Sequence, residues 1–326
     1  MKHFVGVGAC SLDTVLSIPH FVDENENLRA SSVIRRRGGT CPNTVEVLQQ
    51  LVSGRVEGPG LRVHLVAVLP DLFTSATWDA EGSFGGTFRR EGNIEHCIYR
   101  EDQVELATRY IIRNLARSSK AKTIIHNNPL EDMTFAEFKK VAKTLGTDAT
   151  WYHFEGRIPD VSLACIRYLR RRYPGVKISV KLKDPAIEGL QELSLHADVI
   201  FFSKRWALAQ GYIDARTCLQ AQAGLAKTQA SLFFCTWGDF GAWAYEPRGQ
   251  GWIHAPAYVV QHTEIVDTIG AGDTFIAGII YGLTCLPSEW ALEKKLCFAT
   301  ELAGRKVMQE GFAGLGLIMR EIVYAG

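Results

Sequence analysis

Six short β-rich runs recur along this chain, with helix-like segments between them. They are HFVGVGA (3–9), RVHLVAV (62–68), TWYHFE (150–155), KISVKL (177–182), DVIFFS (198–203) and ASLFFCT (230–236). Several are almost continuous in apolar residues. A strand with one solvated face alternates polar and apolar side chains, so an unbroken apolar strand has to be covered on both faces. Such strands alternating with helices restrict the chain to an α/β fold around a mostly parallel sheet. In that class, ligands gather beyond the carboxyl ends of the strands.

Local signals mark the helices. Thr134-Phe-Ala-Glu137 reads as a capping box, with Met133 and Phe138 placed as a hydrophobic staple. Phe138, Val141, Ala142 and Leu145 form one apolar stripe, and Gly146 ends it. Asp160 is expected to cap a second helix with the stripe Val161, Ala164, Cys165, Tyr168 and Leu169, stopped by Pro174-Gly175. Two segments break the rhythm, 12–38 and 94–126. Both alternate polar and apolar residues without a helix, as antiparallel strands solvated on one face do. They are expected to form one small sheet standing off a main domain made of 1–11, 39–93 and 127–326. The Gly, Ser and Thr content of 74–93 points to loop.

Composition narrows the partners. The 326 residues are 47% hydrophobic with a formal net charge of +1, ample for a large core. That balance gives no electrostatic reason to expect nucleic acid or an anionic membrane. The basic runs Arg35-Arg36-Arg37 and Arg170-Arg171-Arg172 read as solvated faces. The eight cysteines form no CxxC and the nine histidines no HExxH, so no zinc site is expected. Buried thiols in a reduced, cytosolic protein are the simplest account. The first residues run straight into a strand pattern rather than a leader, and no apolar run reaches the ~18 residues of a membrane span.

Chemistry concentrates at VDTIGAGDTF, Val266 to Phe275. The residues that follow are apolar on nearly all faces, so a buried helix starts near Ala271. Its first N–H groups lack partners within the helix and carry the positive end of the helix dipole. Gly270 and Gly272 leave those groups uncovered, which makes an oxyanion or phosphate site. Asp273 then stands in the first turn, where a carboxylate repels a bound phosphate. A base taking a proton from an attacking hydroxyl gives it a reason. An ordinary acidic residue in a first turn is the alternative, and the stretch alone leaves both open. Two rival loops fail: no GxxxxGK[ST] occurs, and GVGACS (6–11) lacks the third glycine of a dinucleotide fingerprint.

Other stretches add candidates. Asp13 follows the first strand, where a carboxylate needs hydrogen-bond partners such as sugar hydroxyls or a capped turn. Gly38-Gly39 permits close backbone approach, and Asn43 can both donate and accept. TWGDFG puts Thr236, Gly238 and Gly241 just past a strand, either a phosphate- or ribose-binding loop or a plain turn. Ala299, Ala303 and Gly304 line one side of a C-terminal helix, and small residues there serve close packing or leave a slot for a flat base.

In this order, SLDTVL, RRRGGTCPNTVEVL, WYHFEGR, FFSK, VDTIGAGDTF and AGRKVMQEGF resemble the ribokinase/pfkB carbohydrate kinase family, and within it the ketohexokinase branch. The resemblance runs from near residue 10 to near residue 312. It implies a three-layer sandwich with a β lid and an ATP-dependent sugar kinase. Asp273 would be the catalytic base, and Gly270, Ala271 and Gly272 the anion hole. Asp13, Gly38, Gly39, Thr40 and Asn43 would hold the sugar, while Thr236, Gly238, Gly241, Ala299 and Ala303 would hold the nucleotide. ATP with Mg²⁺, a monovalent cation such as K⁺, and a homodimer clasped through the lid are implied too, with no metal-binding residue assigned. Fructose phosphorylated at the 1-position is the leading reaction. A kinase of another sugar or nucleoside, or a catalytically weak sensor, are the alternatives. Three departures bear on these. Thr40 replaces a sugar-binding asparagine, HNNPLED (126–132) lacks an arginine near the transferring phosphate, and Lys181 and Lys183 stand where ketohexokinase has glutamates.

Overall fold

The computed structural model describes residues 1–53, 60–70, 93–115, 122–249, 251–258 and 265–324, the last four by backbone alone. The run at 74–93 lies, except for Asn93, outside the described residues. Numbered along the chain, β1 (Lys2–Val7), β4 (Leu61–Val66), β9 (Ala149–Phe154), β10 (Lys177–Leu182), β11 (Val199–Ser203) and β12 (Leu232–Thr236) are parallel. With β13 (Ala242–Glu246) and β14 (Gly251–Ala255) antiparallel at one edge, they form an eight-stranded sheet in the order β14-β13-β12-β11-β10-β9-β1-β4.

The apolar strands are covered on both faces. Phe4, Trp151, Phe201 and Phe234 point into one core with α1 (Thr40–Ser53), α7 (Ala271–Thr284), α8 (Leu292–Val307) and α9 (Leu315–Tyr324). Their neighbours Val5, Tyr152, Phe202 and Phe233 point into the other. That second core takes in α2 (Phe135–Leu145), α3 (Pro159–Arg172), α4 (Leu190–Leu195), α5 (Lys204–Ala209) and α6 (Ala215–Ala223). Each fully buried Phe contributes about 1.5–3 kcal/mol of transfer free energy, which is why both faces carry helices.

The capping box of α2 forms, with Thr134 accepting from the Glu137 N–H and Glu137 accepting from the Thr134 N–H at 2.8 Å. In α3 the expectation changes. Pro159 holds the first helical position, Ile158 is the cap residue without a side-chain bond, and Asp160 lies inside the first turn. A proline there needs no cap for a donor it lacks. The buried stripe shifts with it, to Ser162, Cys165, Ile166 and Leu169.

A smaller sheet stands at the carboxyl ends of the main strands, in the order β3-β2-β7-β8. Its strands are β2 (Ser11–Ile18), β3 (Ser32–Gly38), β7 (Thr108–Asn114) and β8 (Lys122–Asn127). Both outer pairings are antiparallel, and the central β2–β7 pairing, which joins the two chain segments, is parallel. Within the second segment, β6 (Ile98–Arg100) leaves this sheet and pairs in parallel with β5 (Val68–Pro70). Among the described residues no helix is long and apolar enough to cross a membrane.

Candidate active site

The last residues of β9, β10, β11 and β12 run into Glu155, Lys183, Ser203 and Thr236, along one edge of the sheet. The mouth of α7 faces this edge. Gly270 is its cap residue at φ 84°, a left-handed conformation that favours glycine. A side chain there would also collide with the Phe312 ring. No side chain caps the helix, so the first-turn N–H groups of Gly272 and Asp273 remain available to an anion.

Asp273 is 5% exposed. Lys181 Nζ donates to its Oδ1 at 2.5 Å and Asn43 Nδ2 to its Oδ2 at 2.8 Å, while the Thr44 hydroxyl donates to its backbone carbonyl at 3.2 Å. Burial opposes ionisation of this carboxyl, but the charges of Lys181 and Lys183 and the two hydrogen bonds outweigh it. The pKa therefore falls below the usual carboxylate value, and Asp273 is ionised at neutral pH. Arg37 in turn donates to Asn43 Oδ1 at 3.1 Å and pairs with Glu46, which fixes how Asn43 presents its amide.

The 266–270 segment is pinned to the end of α8. Val266 and Asp267 donate to the Val307 carbonyl at 2.8 and 3.1 Å. The fully enclosed Lys306 donates to Asp267 Oδ2 at 2.7 Å, and Arg36 reaches the same oxygen at 2.7 Å. Thus Arg36 and Arg37 both point into the protein, and only Arg35 of that run stays exposed. Adjacent strand residues face opposite ways, and at this end of β3 both sides are covered. In the other run Arg171 and Arg172 are exposed, whereas Arg170 pairs with Asp198 at 2.8 Å.

Asp13 is held by the small sheet. Arg109, its cross-strand neighbour on β7, donates to both carboxylate oxygens at 2.6 and 2.5 Å, and Ser11 adds a bond at 3.1 Å. A side chain on Gly38 would collide with this pair, and one on Gly39, at φ 110°, with the Ala9 carbonyl. Thr40 opens α1, 9% exposed. Glu155 accepts from the Ala9 N–H at 2.6 Å and the Cys41 N–H at 3.4 Å, and burial pushes its carboxyl up despite these donors. Its signal was available, as an acid set directly after the buried strand β9; Asp13, expected at the end of the first strand, lies instead within β2, because the chain turns into the small sheet at Ser11.

A cavity of about 150 Å³ opens beside Asp273. Thr236, Gly270 and Gly272 line it, together with Lys122, Lys181 and Lys183. Gly238 lies exposed at φ 63° with open space about it. Gly241, at φ 86°, packs instead against the backbone of Ala255 to Ala257, so its lack of a side chain serves the β13–β14 edge. Ala299 is completely buried against Gly278 of α7, which leaves it no surface for a ligand, whereas Ala303 is half-buried. Asp273, Asn43, Gly270, Gly272 and Thr236 thus share one cleft, and Asp13, Gly38, Gly39 and Thr40 sit at its small-sheet side.

Comparison with known proteins adds to this geometry. The pfkB family of carbohydrate kinases matches residues 1–314. Ketohexokinase of Mus musculus is 27% identical over 320 residues, 96% of this chain and 99% of that protein. The ribokinase of Cryptococcus neoformans var. grubii serotype A, solved with ADP, superposes with a TM-score of 0.72 at 18% identity, covering 99% of this chain and 100% of that one. The nucleoside kinase of Burkholderia thailandensis, solved with inosine, gives 0.70 at 15% identity, covering 99% and 98%.

Proposed function

The chain belongs to the pfkB family of carbohydrate kinases, and from that premise we propose that it transfers the γ-phosphoryl group of ATP to a ketohexose, at the 1-hydroxyl of fructose first. That it is a sugar kinase follows from the family; the acceptor is the proposal. One observation carries the mechanism: a buried, ionised Asp273 at the mouth of α7, beside N–H groups that no side chain caps.

The acceptor hydroxyl lies against Asp273, which orients it and takes its proton as the new O–P bond forms. The first-turn N–H groups of α7 receive the charge that spreads over the transferring phosphoryl oxygens. A carboxylate with a lowered pKa is a weak base, which suits a loose transition state in which the hydroxyl proton leaves late. The donor lies along the cavity toward Thr236. Closing the small sheet over the cleft excludes water, which would otherwise divert transfer into ATP hydrolysis. Likeness to ketohexokinase across nearly the whole chain supports the ketohexose. A second reading, another sugar or a nucleoside as acceptor, is favoured by the two Arg109 bonds that occupy Asp13.

The ions implied by the family resemblance fit these residues poorly. Among the described residues no three His, Cys, Asp or Glu side chains gather to hold a metal, and both oxygens of Asp273 are engaged. Beside the anion hole, Asp267 O, Asp267 Oδ2 and Gln309 O would suit a monovalent cation. They already hold the Lys306 ammonium at 3.0, 2.7 and 3.4 Å.

An ADP-release screen over ketoses, aldoses and nucleosides tests the acceptor. Turnover is expected with fructose; turnover with nucleosides alone would select the second reading. Ligand binding without ADP release across the whole panel would mark a sensor instead.

The outward face of the small sheet supports a homodimer. Val33, Tyr110 and Ile125 are 56, 42 and 51% exposed there, with Tyr110 and Ile125 directly opposite across β7–β8. Burying them against a second copy removes both the apolar surface and an exposed sheet. Sedimentation is expected to give a dimer that Tyr110→Glu converts to monomer, and a wild-type monomer at all concentrations would dismiss the contact. All eight cysteines are free thiols, seven of them buried, which suits a reducing compartment such as the cytoplasm.

A further inference from the structure

The cavity beside Asp273 is charged in an unexpected way. Lys181 and Lys183 lie two residues apart at the end of β10, so both extend to the same side of the sheet. From across the cleft, Lys122 of β8 lines the same cavity. Three ammonium groups therefore meet one carboxylate, Asp273, which pairs with Lys181 alone. Among the described residues neither Lys122 nor Lys183 has a carboxylate within 4 Å. The Lys181 ammonium lies 3.9 Å from the point where a Gly272 side chain would begin, and so faces the anion-hole backbone. Lys183 is anchored through its own carbonyl, which accepts from the Ser203 hydroxyl at 3.2 Å.

Cations that line one cavity repel one another unless an anion joins them. The surplus positive charge and the uncapped N–H groups border one cavity, which Thr236 also lines, and this is what a chain of phosphates requires. A divalent ion placed there would meet ammonium groups where acids are needed.

We propose that Lys122, Lys181 and Lys183 form a polyphosphate site that works without a protein-held divalent cation, binding the donor's terminal phosphates directly. This rests on the kinase reading above but concerns the donor side alone. Lys181 has two partners in turn. It pairs with Asp273 in the resting site, and a phosphate oxygen in the anion hole draws it off, freeing Oδ1 for the acceptor hydroxyl. The titration of Lys183 agrees. Crowding by protein and the Lys181 charge bring its pKa to about 8, with Arg109 and Lys122 acting the same way and Asp273 opposing them. A bound polyanion raises that value. Affinity is therefore complete below pH 8 and declines as the pH rises past it.

Calorimetric titration of the full-length protein with inorganic tripolyphosphate tests this. Binding in EDTA is expected to lie within about threefold of binding in Mg²⁺. Lys183→Gln, which leaves the Lys181–Asp273 pair intact, is expected to weaken it at least ~10-fold, as loss of a charge-assisted contact does. Lys183→Arg should retain affinity, and wild-type affinity should drop between pH 7 and 9. Binding that requires Mg²⁺, or that Lys183→Gln leaves unchanged, overturns the proposal. Failure of the ADP-release screen would remove the kinase reading without altering any of these titrations.

Discussion

Asp273→Asn lowers ADP release by at least ~100-fold, the usual cost of losing a general base, while nucleotide still binds. The amide keeps the shape of the carboxylate but cannot accept a proton at neutral pH. Two neighbours sharpen the expectation. Asn43 and Lys181 each donate to a separate oxygen of Asp273, so an amide necessarily turns its NH₂ toward one of them. The hydrogen bond from Thr44 to the Asp273 backbone survives the change, so the α1–α7 contact persists. Steady-state ADP release reads the loss, and a thermal shift with ADP checks the donor site. Undiminished turnover would remove Asp273 from the base role. Joint loss of binding and turnover would point to collapse of the lysine cluster around it.

Asp267→Ala destabilises the fold by about 3–5 kcal/mol, the cost of stranding a buried charge. Lys306 is completely enclosed, and Asp267 is the carboxylate it pairs with. Arg36 keeps Glu310 at 3.4 Å, so the loss falls mainly on the lysine. Burial works against ionised Asp267, yet Arg36 and Lys306 bring its pKa from 3.8 to about 2. The wild-type advantage is therefore full above pH 3.8 and disappears as the pH drops toward 2. Urea unfolding of both proteins at pH 7 and pH 3 measures this. Equal midpoints at pH 7 would show that Lys306 finds another partner. Because Asp267 begins the segment leading to Gly270, the variant is also expected to lose activity under conditions where it stays folded.

Much of this architecture was legible in the amino-acid sequence, for local reasons. The parallel sheet follows from strands that are apolar on both faces, and the α2 cap from Thr134 and Glu137 alone. Asp273, Gly270 and Gly272 could be read because a helix mouth is built from neighbouring residues. What stayed hidden depends on pairings across long stretches of chain. Arg109 meets Asp13 only because β2 and β7 align, 96 residues apart. Arg36 and Arg37 read as a solvated run, since nothing near them in the chain shows that Asp267 and α1 receive them on opposite sides of β3. Ala299 illustrates the converse. Small residues suit either a ligand or a neighbouring helix, and here Gly278 had already taken the space. Lys181 was visible as a departure from the expected acids, but its pairing with Asp273 required the fold.

Phosphorus NMR of the full-length protein with ATP and fructose tests the central claim most directly. The account predicts a new phosphomonoester resonance growing in step with ADP, and neither signal with Asp273→Asn. ADP accompanied only by inorganic phosphate, or a sugar phosphate formed equally well by Asp273→Asn, would contradict it.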